Sequence, residues 1–131
     1  NFTKVFVERL KESKDKVKIN TEIDISEINR IKTDIFKTKE EIIEVKFLYR
    51  VIYNPEIAKV ELRGAIAFSL DPKLAKQVLK EWKSKKISED FRFFLFNVIM
   101  RKSSLKALEL EDYLNIPLHI PMPSFRKPEE K

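Results

Sequence analysis

Apolar and polar residues alternate along most of the first 70 positions of the chain, a pattern typical of β-strands with one buried face. A weak alternation between Lys4 and Arg9 places Val5 and Val7 on one face and predicts a first strand. A cleaner alternation follows, and its apolar side consists of Val17, Ile19, Thr21, Ile23 and Ile25. Residues 26–41 have a looser spacing that fits either a bent strand or a short helix, so their conformation stays open.

The strongest pattern is a long hairpin over residues 42–70. The apolar face of its first arm consists of Ile43, Val45, Phe47, Tyr49, Val51 and Tyr53. The Asn-Pro-Glu segment at 54–56 predicts the turn, because proline fixes φ at the first central position. The return arm, residues 58–70, contains the only glycine of the chain. Gly64 therefore marks a bulge, a bend or the close approach of a ring or another backbone.

The last third of the chain predicts two helices and an extended tail. An Asp-Pro pair at 71–72 supplies an N-cap and a first helical residue. The apolar stripe of this first helix consists of Leu74, Ala75, Val78, Leu79 and Trp82. A second helix begins at Ser88, and its body over 91–100 is apolar nearly all round. Ser104 is a candidate cap for a further helical segment, and the three prolines of 116–123 predict an extended tail.

These elements predict an α+β fold: an antiparallel meander sheet of three to four strands, two C-terminal helices on one face, and an extended Pro-rich tail. We expect a single domain over residues 1–125 and a disordered terminus over 126–131. The longest strongly apolar stretch, 91–100, is half the length that a membrane-spanning helix needs, so no membrane span is expected. We expect a cytoplasmic protein, and its richness in Lys, Glu and Ile is typical of thermophiles.

The composition excludes most catalytic chemistry. The 131 residues include no cysteine, one histidine and one glycine. These counts exclude thiol nucleophiles, cysteine-based metal sites and glycine-rich phosphate loops. His119 lies between prolines with no nucleophile motif in the chain, so we interpret it as a surface or packing histidine. We therefore expect a protein that is not an enzyme and that uses no metal and no cofactor.

The order of the elements resembles a known family. A long hairpin from Ile42 to Leu70 is followed by a helical region and then by Leu-Glu-Leu at 108–110, ahead of a proline-containing tail. This order resembles the SecB-type export chaperones, including the SecB-like proteins of archaea and of toxin–antitoxin systems. The ending at 114–123 also resembles that of small uncharacterised archaeal proteins. The SecB resemblance implies a four-stranded antiparallel sheet with helices on one side, assembly as dimers of dimers, and binding of unfolded polypeptide along hydrophobic grooves.

The leading functional hypothesis is a homo-oligomeric, SecB-like chaperone that holds unfolded polypeptide on apolar surfaces. Large apolar side chains occur on both faces of the hairpin, since Leu48 and Ile52 interrupt its polar face. Such residues stay exposed unless a client or another subunit covers them. The predicted polypeptide-binding residues are Phe47, Leu48, Tyr49, Ile52 and Trp82.

Two alternatives stay open beside the chaperone hypothesis. The net charge of +6 permits a nucleic-acid-associated protein that contacts phosphates through basic side chains. The candidates for those contacts are Lys83, Lys85, Lys86, Arg101 and Lys102. The other alternative is a structural subunit whose apolar faces are covered permanently by a partner. The phenylalanines of segment 91–96 fit a core or an oligomer interface better than a platform for stacking bases.

Overall fold

A computed structural model of the chain describes residues 1–11, 16–31, 41–125 and 127–128. The elements in that part of the chain are β1 (Phe2–Arg9), β2 (Lys18–Ile31), β3 (Glu41–Asn54), β4 (Ala58–Leu70), α1 (Pro72–Trp82) and α2 (Glu89–Tyr113). The strands form one antiparallel sheet in the order β1-β4-β3-β2. The predicted α+β class, with two helices and an antiparallel sheet, is confirmed.

The sheet is a meander of three strands with β1 added at the far edge. The strands β2, β3 and β4 pair in chain order, as the alternation predicts, and β1 pairs with β4. This is a Greek-key order, in which a strand separated by a long connection lies beside a hairpin. The segment after residue 25 continues β2 to Ile31 through a bulge between Ile25 and Glu27, so it is a bent strand. Residues 32–40 lie outside the described part of the chain.

Gly64 lies at a crowded position of the sheet. It pairs with Phe47 of β3 on one side and with Phe2 of β1 on the other, beside a register shift in β1. A Cβ atom at Gly64 would lie 2.8 Å from the Phe47 ring and 2.7 Å from the Asn1 carbonyl oxygen. The close approach of a ring and of a neighbouring backbone therefore explains the glycine.

Both helices cover one face of the sheet. The helix α1 packs on β2 and β3, and α2 packs on β2, β3 and β4. The side of α2 that meets the sheet repeats every fourth residue and consists of Phe91, Leu95, Ile99, Ser103, Ala107 and Glu111, all of them buried. Because an α-helix turns once in 3.6 residues, a strip of period four winds around it. Within segment 91–100, Phe93, Phe94 and Met100 lie outside this strip and are exposed, so the helix is apolar nearly all round without being buried all round.

The C-terminal region differs from the prediction in one respect. The prediction of a separate helical segment capped by Ser104 is wrong, because α2 runs without a break from Glu89 to Tyr113. Ser104 is buried in the middle of it. Residues 116–125 contain neither helix nor strand, as their prolines predict, and Ile116 anchors their start in the core. The expected disordered terminus falls mostly on residues outside the described part of the chain.

Candidate functional site

The sheet face opposite the helices, here called the open face, is crossed by ion pairs. Glu61 is only 7% exposed, and its carboxylate accepts a hydrogen bond from the Lys4 Nζ at 2.8 Å. The Arg50 Nε lies 3.4 Å from the same carboxylate, and the Arg50 guanidinium lies 4.0 Å from Glu22. These residues connect all four strands, because each comes from a different one. The centre of the open face is therefore a charged, internally paired surface.

We expect the acid stability of the protein to depend on Glu61. Its hydrogen bond with Lys4 holds the pKa of the Glu61 carboxyl below its ordinary value of 4.5. The ionised form therefore stabilises the fold fully above about pH 4.5, and this contribution is lost as the pH falls through the lowered pKa. The stability difference between the natural chain and Glu61→Gln, measured by urea unfolding, should be largest near neutral pH and shrink in acid. Lys4→Met should show the same trend, and a difference that grows in acid would contradict this assignment.

The residues predicted to bind polypeptide do not form one surface. Phe47 and Tyr49 are 3% and 0% exposed and lie in the core beneath the helices. Leu48 and Ile52 lie half-buried on the open face, because successive side chains of a strand point to opposite faces. Trp82 is the last residue of α1 and lies on the side of the sheet that the helices cover. The Lys85 Nζ is 4.4 Å from the centre of its ring. Of these five predicted residues, only Leu48, Ile52 and Trp82 are accessible to a ligand in the isolated chain.

The residues of the nucleic-acid alternative lie on two separate elements. The three lysines Lys83, Lys85 and Lys86 are exposed in the turn that follows α1. Arg101 and Lys102 are exposed in the middle of α2. Lys85 is already engaged with the Trp82 ring. The structure brings the three lysines together through the turn and leaves the other two on a different helix.

A buried polar network around His119 ties the tail to the domain. The His119 side chain is 2% exposed, so of the two interpretations the packing histidine is correct. Its backbone N–H and its Nδ1 both lie 2.8 Å from Glu111 Oε1. The His119 Nε2 is hydrogen-bonded to the Tyr49 hydroxyl, which is 2.9 Å away. The Ser104 hydroxyl lies 3.0 Å from the Tyr49 oxygen, and the hydrogen bond between these two hydroxyls completes the chain.

This network can position the tail, and its geometry does not suit nucleophilic catalysis. A serine nucleophile must contact the imidazole that takes its proton, whereas Ser104 contacts Tyr49. The Tyr53 hydroxyl donates to the Pro117 carbonyl and gives the tail a second anchor. Burial raises the pKa of both tyrosines, and the nearby Glu111 carboxylate raises it further. Both hydroxyls therefore stay protonated and remain donors at ordinary pH.

Exposed apolar side chains lie on α2, outside its buried strip. Phe93, Phe94, Met100 and Leu105 are 53%, 48%, 45% and 66% exposed. Phe94 and Leu105 share a face with Val98, at spacings of four and seven residues, while Phe93 and Met100 share another. The Phe94 ring packs on Phe68 of β4 at 5.5 Å, which fixes its orientation. We call these two faces the α2 apolar rows.

Comparison with known proteins places this architecture among SecB-like folds. A scan against family models gave no match, and neither did a search of curated proteins. The chain has a SecB-like fold. It is similar to the solved structure of the SecB-like chaperone Rv1957 of Mycobacterium tuberculosis in complex with a ChAD peptide from the Rv1956 HigA1 antitoxin. The two share 14% identity with a TM-score of 0.52, covering 95% of this chain and 86% of that one.

In the described part of the chain, no helix has both the length and the apolar character needed to cross a membrane.

Proposed function

We propose that this protein is not an enzyme and that it holds unfolded polypeptide on apolar surfaces. The observation that carries the proposal is the pair of α2 apolar rows, which expose phenylalanine, methionine and leucine side chains. Several large apolar side chains exposed on one helix are a candidate binding site for another chain. The similarity in fold to a chaperone that was solved with a bound peptide supports the same class of function.

The contact surface that we propose lies mainly on α2. The centre of the open face is occupied by charges that satisfy one another, so Leu48 and Ile52 are secondary contacts there. Trp82 is a further contact on the helix side. Phe47 and Tyr49 contribute only from within the core, where they support the helices.

We propose that the protein also assembles with copies of itself. Successive residues of a helix are rotated by about 100°, which places the two α2 apolar rows roughly 130° apart. One row can therefore pack on a second copy while the other stays available to a client. Two-fold dimers, in which the same surface of both copies meets, are the commonest soluble homo-oligomers, and one row would be covered in this way.

The test is light scattering and sedimentation of the purified chain, with and without reduced, unfolded α-lactalbumin. We expect an oligomer that forms a soluble complex with this client. The double variant Phe94→Ser/Leu105→Ser should weaken client binding by about tenfold or more, since each side chain loses part of the 1.5–3 kcal/mol available from burial. Leu48→Ser/Ile52→Ser is the matched control on the open face and should have a smaller effect. A monomer that ignores the client would overturn the proposal.

A further inference from the structure

A basic cleft lies between α1 and the adjoining ends of β2 and β3, away from the α2 apolar rows. Its volume is about 560 Å³. Its charged lining consists of Arg30, Lys76, Lys80 and Lys83, with one carboxylate, Glu41. The excess of positive charge in one small cleft calls for an explanation, since lysines on a protein surface are usually interspersed with acidic residues.

Among the described residues, three of the four cations that line the cleft have no ion-pair partner. Arg30 forms an ion pair with Glu41, so its charge is satisfied. Within the ranges that the structure describes, no carboxylate oxygen lies within 4.0 Å of the ammonium groups of Lys76, Lys80 or Lys83. The only acidic residue of α1 is Glu81, and it does not line the cleft.

The carboxylate of Glu81 is already committed to other groups. One oxygen accepts a hydrogen bond from the Gln77 side chain at 3.1 Å, and the other accepts from the Ser88 backbone N–H at 3.0 Å. It therefore links the two helices instead of neutralising the lysines.

The spacing of the lysines along α1 makes them repel one another. Lys76 and Lys80 are four residues apart, and Lys83 follows three residues later, so all three lie on one side of the helix. Like charges at these spacings destabilise a helix. A bound anion would remove that repulsion, which is the physical reason to expect a ligand with several negative charges.

We propose that this cleft binds an extended, acidic segment of polypeptide. Lys76 and Lys80 are separated by about 6 Å along the helix axis, close to the roughly 6.6 Å between alternate residues of an extended chain. Alternate acidic side chains can therefore meet successive lysines. The remaining lining is aliphatic, from Pro72 and Leu79, and suits the apolar side chains between the acids.

The lining also argues against a nucleic-acid ligand. Proteins that bind single-stranded nucleic acids combine basic grooves with aromatic rings on which the bases stack. None of the described residues that line the cleft is aromatic. The Glu41 carboxylate at its edge would also repel a nearby phosphate, while an acidic peptide can direct an apolar side chain or an amide toward it.

The experiment uses a fluorescein-labelled peptide of alternating glutamate and leucine, about twelve residues long, with fluorescence anisotropy of the full chain. We expect it to bind at least about tenfold more tightly than a peptide of alternating lysine and leucine. Lys76→Glu/Lys80→Glu should weaken binding by about tenfold or more. Arg101→Glu/Lys102→Glu changes the net charge equally outside the cleft and should change the affinity by less than about threefold.

Each other result overturns the inference. Equal weakening by both double variants would mean that the peptide responds to net charge alone. Tighter binding of a labelled oligouridylate than of the peptide, lost in Lys76→Glu/Lys80→Glu, would make the cleft a nucleic-acid site. Absence of binding of the acidic peptide at low salt would show that the cleft is not a peptide-binding site. Phe94→Ser/Leu105→Ser should leave the acidic peptide bound, which separates this inference from the proposed chaperone function.

Discussion

Replacing Glu111 by alanine is expected to lower the free energy of unfolding by about 2–6 kcal/mol, because it leaves two buried donors without an acceptor at about 1–3 kcal/mol each. Glu111 is 0% exposed, and its Oε1 accepts from both the backbone N–H and the Nδ1 of His119. Alanine would leave these two buried donors without an acceptor, and each would retain its desolvation cost. Because His119 is also hydrogen-bonded to Tyr49, the loss would extend to the core of the sheet.

Urea unfolding followed by circular dichroism measures this effect, and a neighbouring glutamate provides the control. Glu109→Ala removes an exposed side chain that pairs only with Lys106, and it should change stability by no more than about 0.5 kcal/mol. Glu111→Gln keeps one acceptor oxygen, so its loss of stability should be smaller than that of Glu111→Ala and larger than that of Glu109→Ala. In the alanine variant the tail should also be cleaved faster by chymotrypsin after Leu118, which is half-buried beside His119. Similar stabilities for Glu111→Ala and Glu109→Ala would show that the network does not hold the tail.

The sequence pattern predicts the faces of the strands well but not their neighbours. Alternation with a period of two identifies which side chains of β3 and β4 share a face, and the turn between them makes the two strands partners. The position of β1 is a different matter. Its alternation places Val5 and Val7 on one side, yet the pairing with β4 depends on a long connection that leaves no periodic signal.

The same limit explains why the predicted binding residues separate. The pattern places Phe47 and Tyr49 on one face and Leu48 and Ile52 on the other, but it does not say which face the helices cover. The helices cover the face with the larger and more continuous apolar surface, since this buries more area. The charges of the open face then pair across strands that are distant in sequence, such as Lys4 and Glu61.

The His119 network had one signal in the sequence that could have revealed it. The buried strip of α2 repeats every fourth residue from Phe91, and the sixth position of that repeat is Glu111. A carboxylate at a core position needs a partner within the fold. The only histidine of the chain follows eight residues later, where prolines keep the tail extended. Its distance from Glu111 depends on the path of the tail, which the sequence pattern does not define.

Replacing Gly64 by alanine is expected to destabilise the protein by about 1–3 kcal/mol, the usual cost of overpacking a core. In an ordinary strand the same change would be favourable by roughly 0.5–1 kcal/mol, because glycine loses more backbone entropy on folding. Here the added Cβ would lie 2.8 Å from the Phe47 ring and 2.7 Å from the Asn1 carbonyl oxygen. Ala67→Val adds methyl groups at an exposed position of the same strand and should be close to neutral in urea unfolding.

A double-mutant cycle with Phe47→Leu tests whether the ring excludes a side chain at Gly64. The Phe47 ring is held edge-on against Phe2 at 6.3 Å, so it does not turn away freely. Leucine removes the ring atoms nearest to Gly64, and Gly64→Ala should therefore cost less in the leucine background, with a coupling of about 0.5–3 kcal/mol. The recovery should be partial, because the Asn1 carbonyl oxygen is backbone and stays hydrogen-bonded to Ala65. Strictly additive effects would mean that only the Asn1 carbonyl oxygen crowds a Cβ atom at position 64. The Phe47 ring would then not be a reason for the glycine.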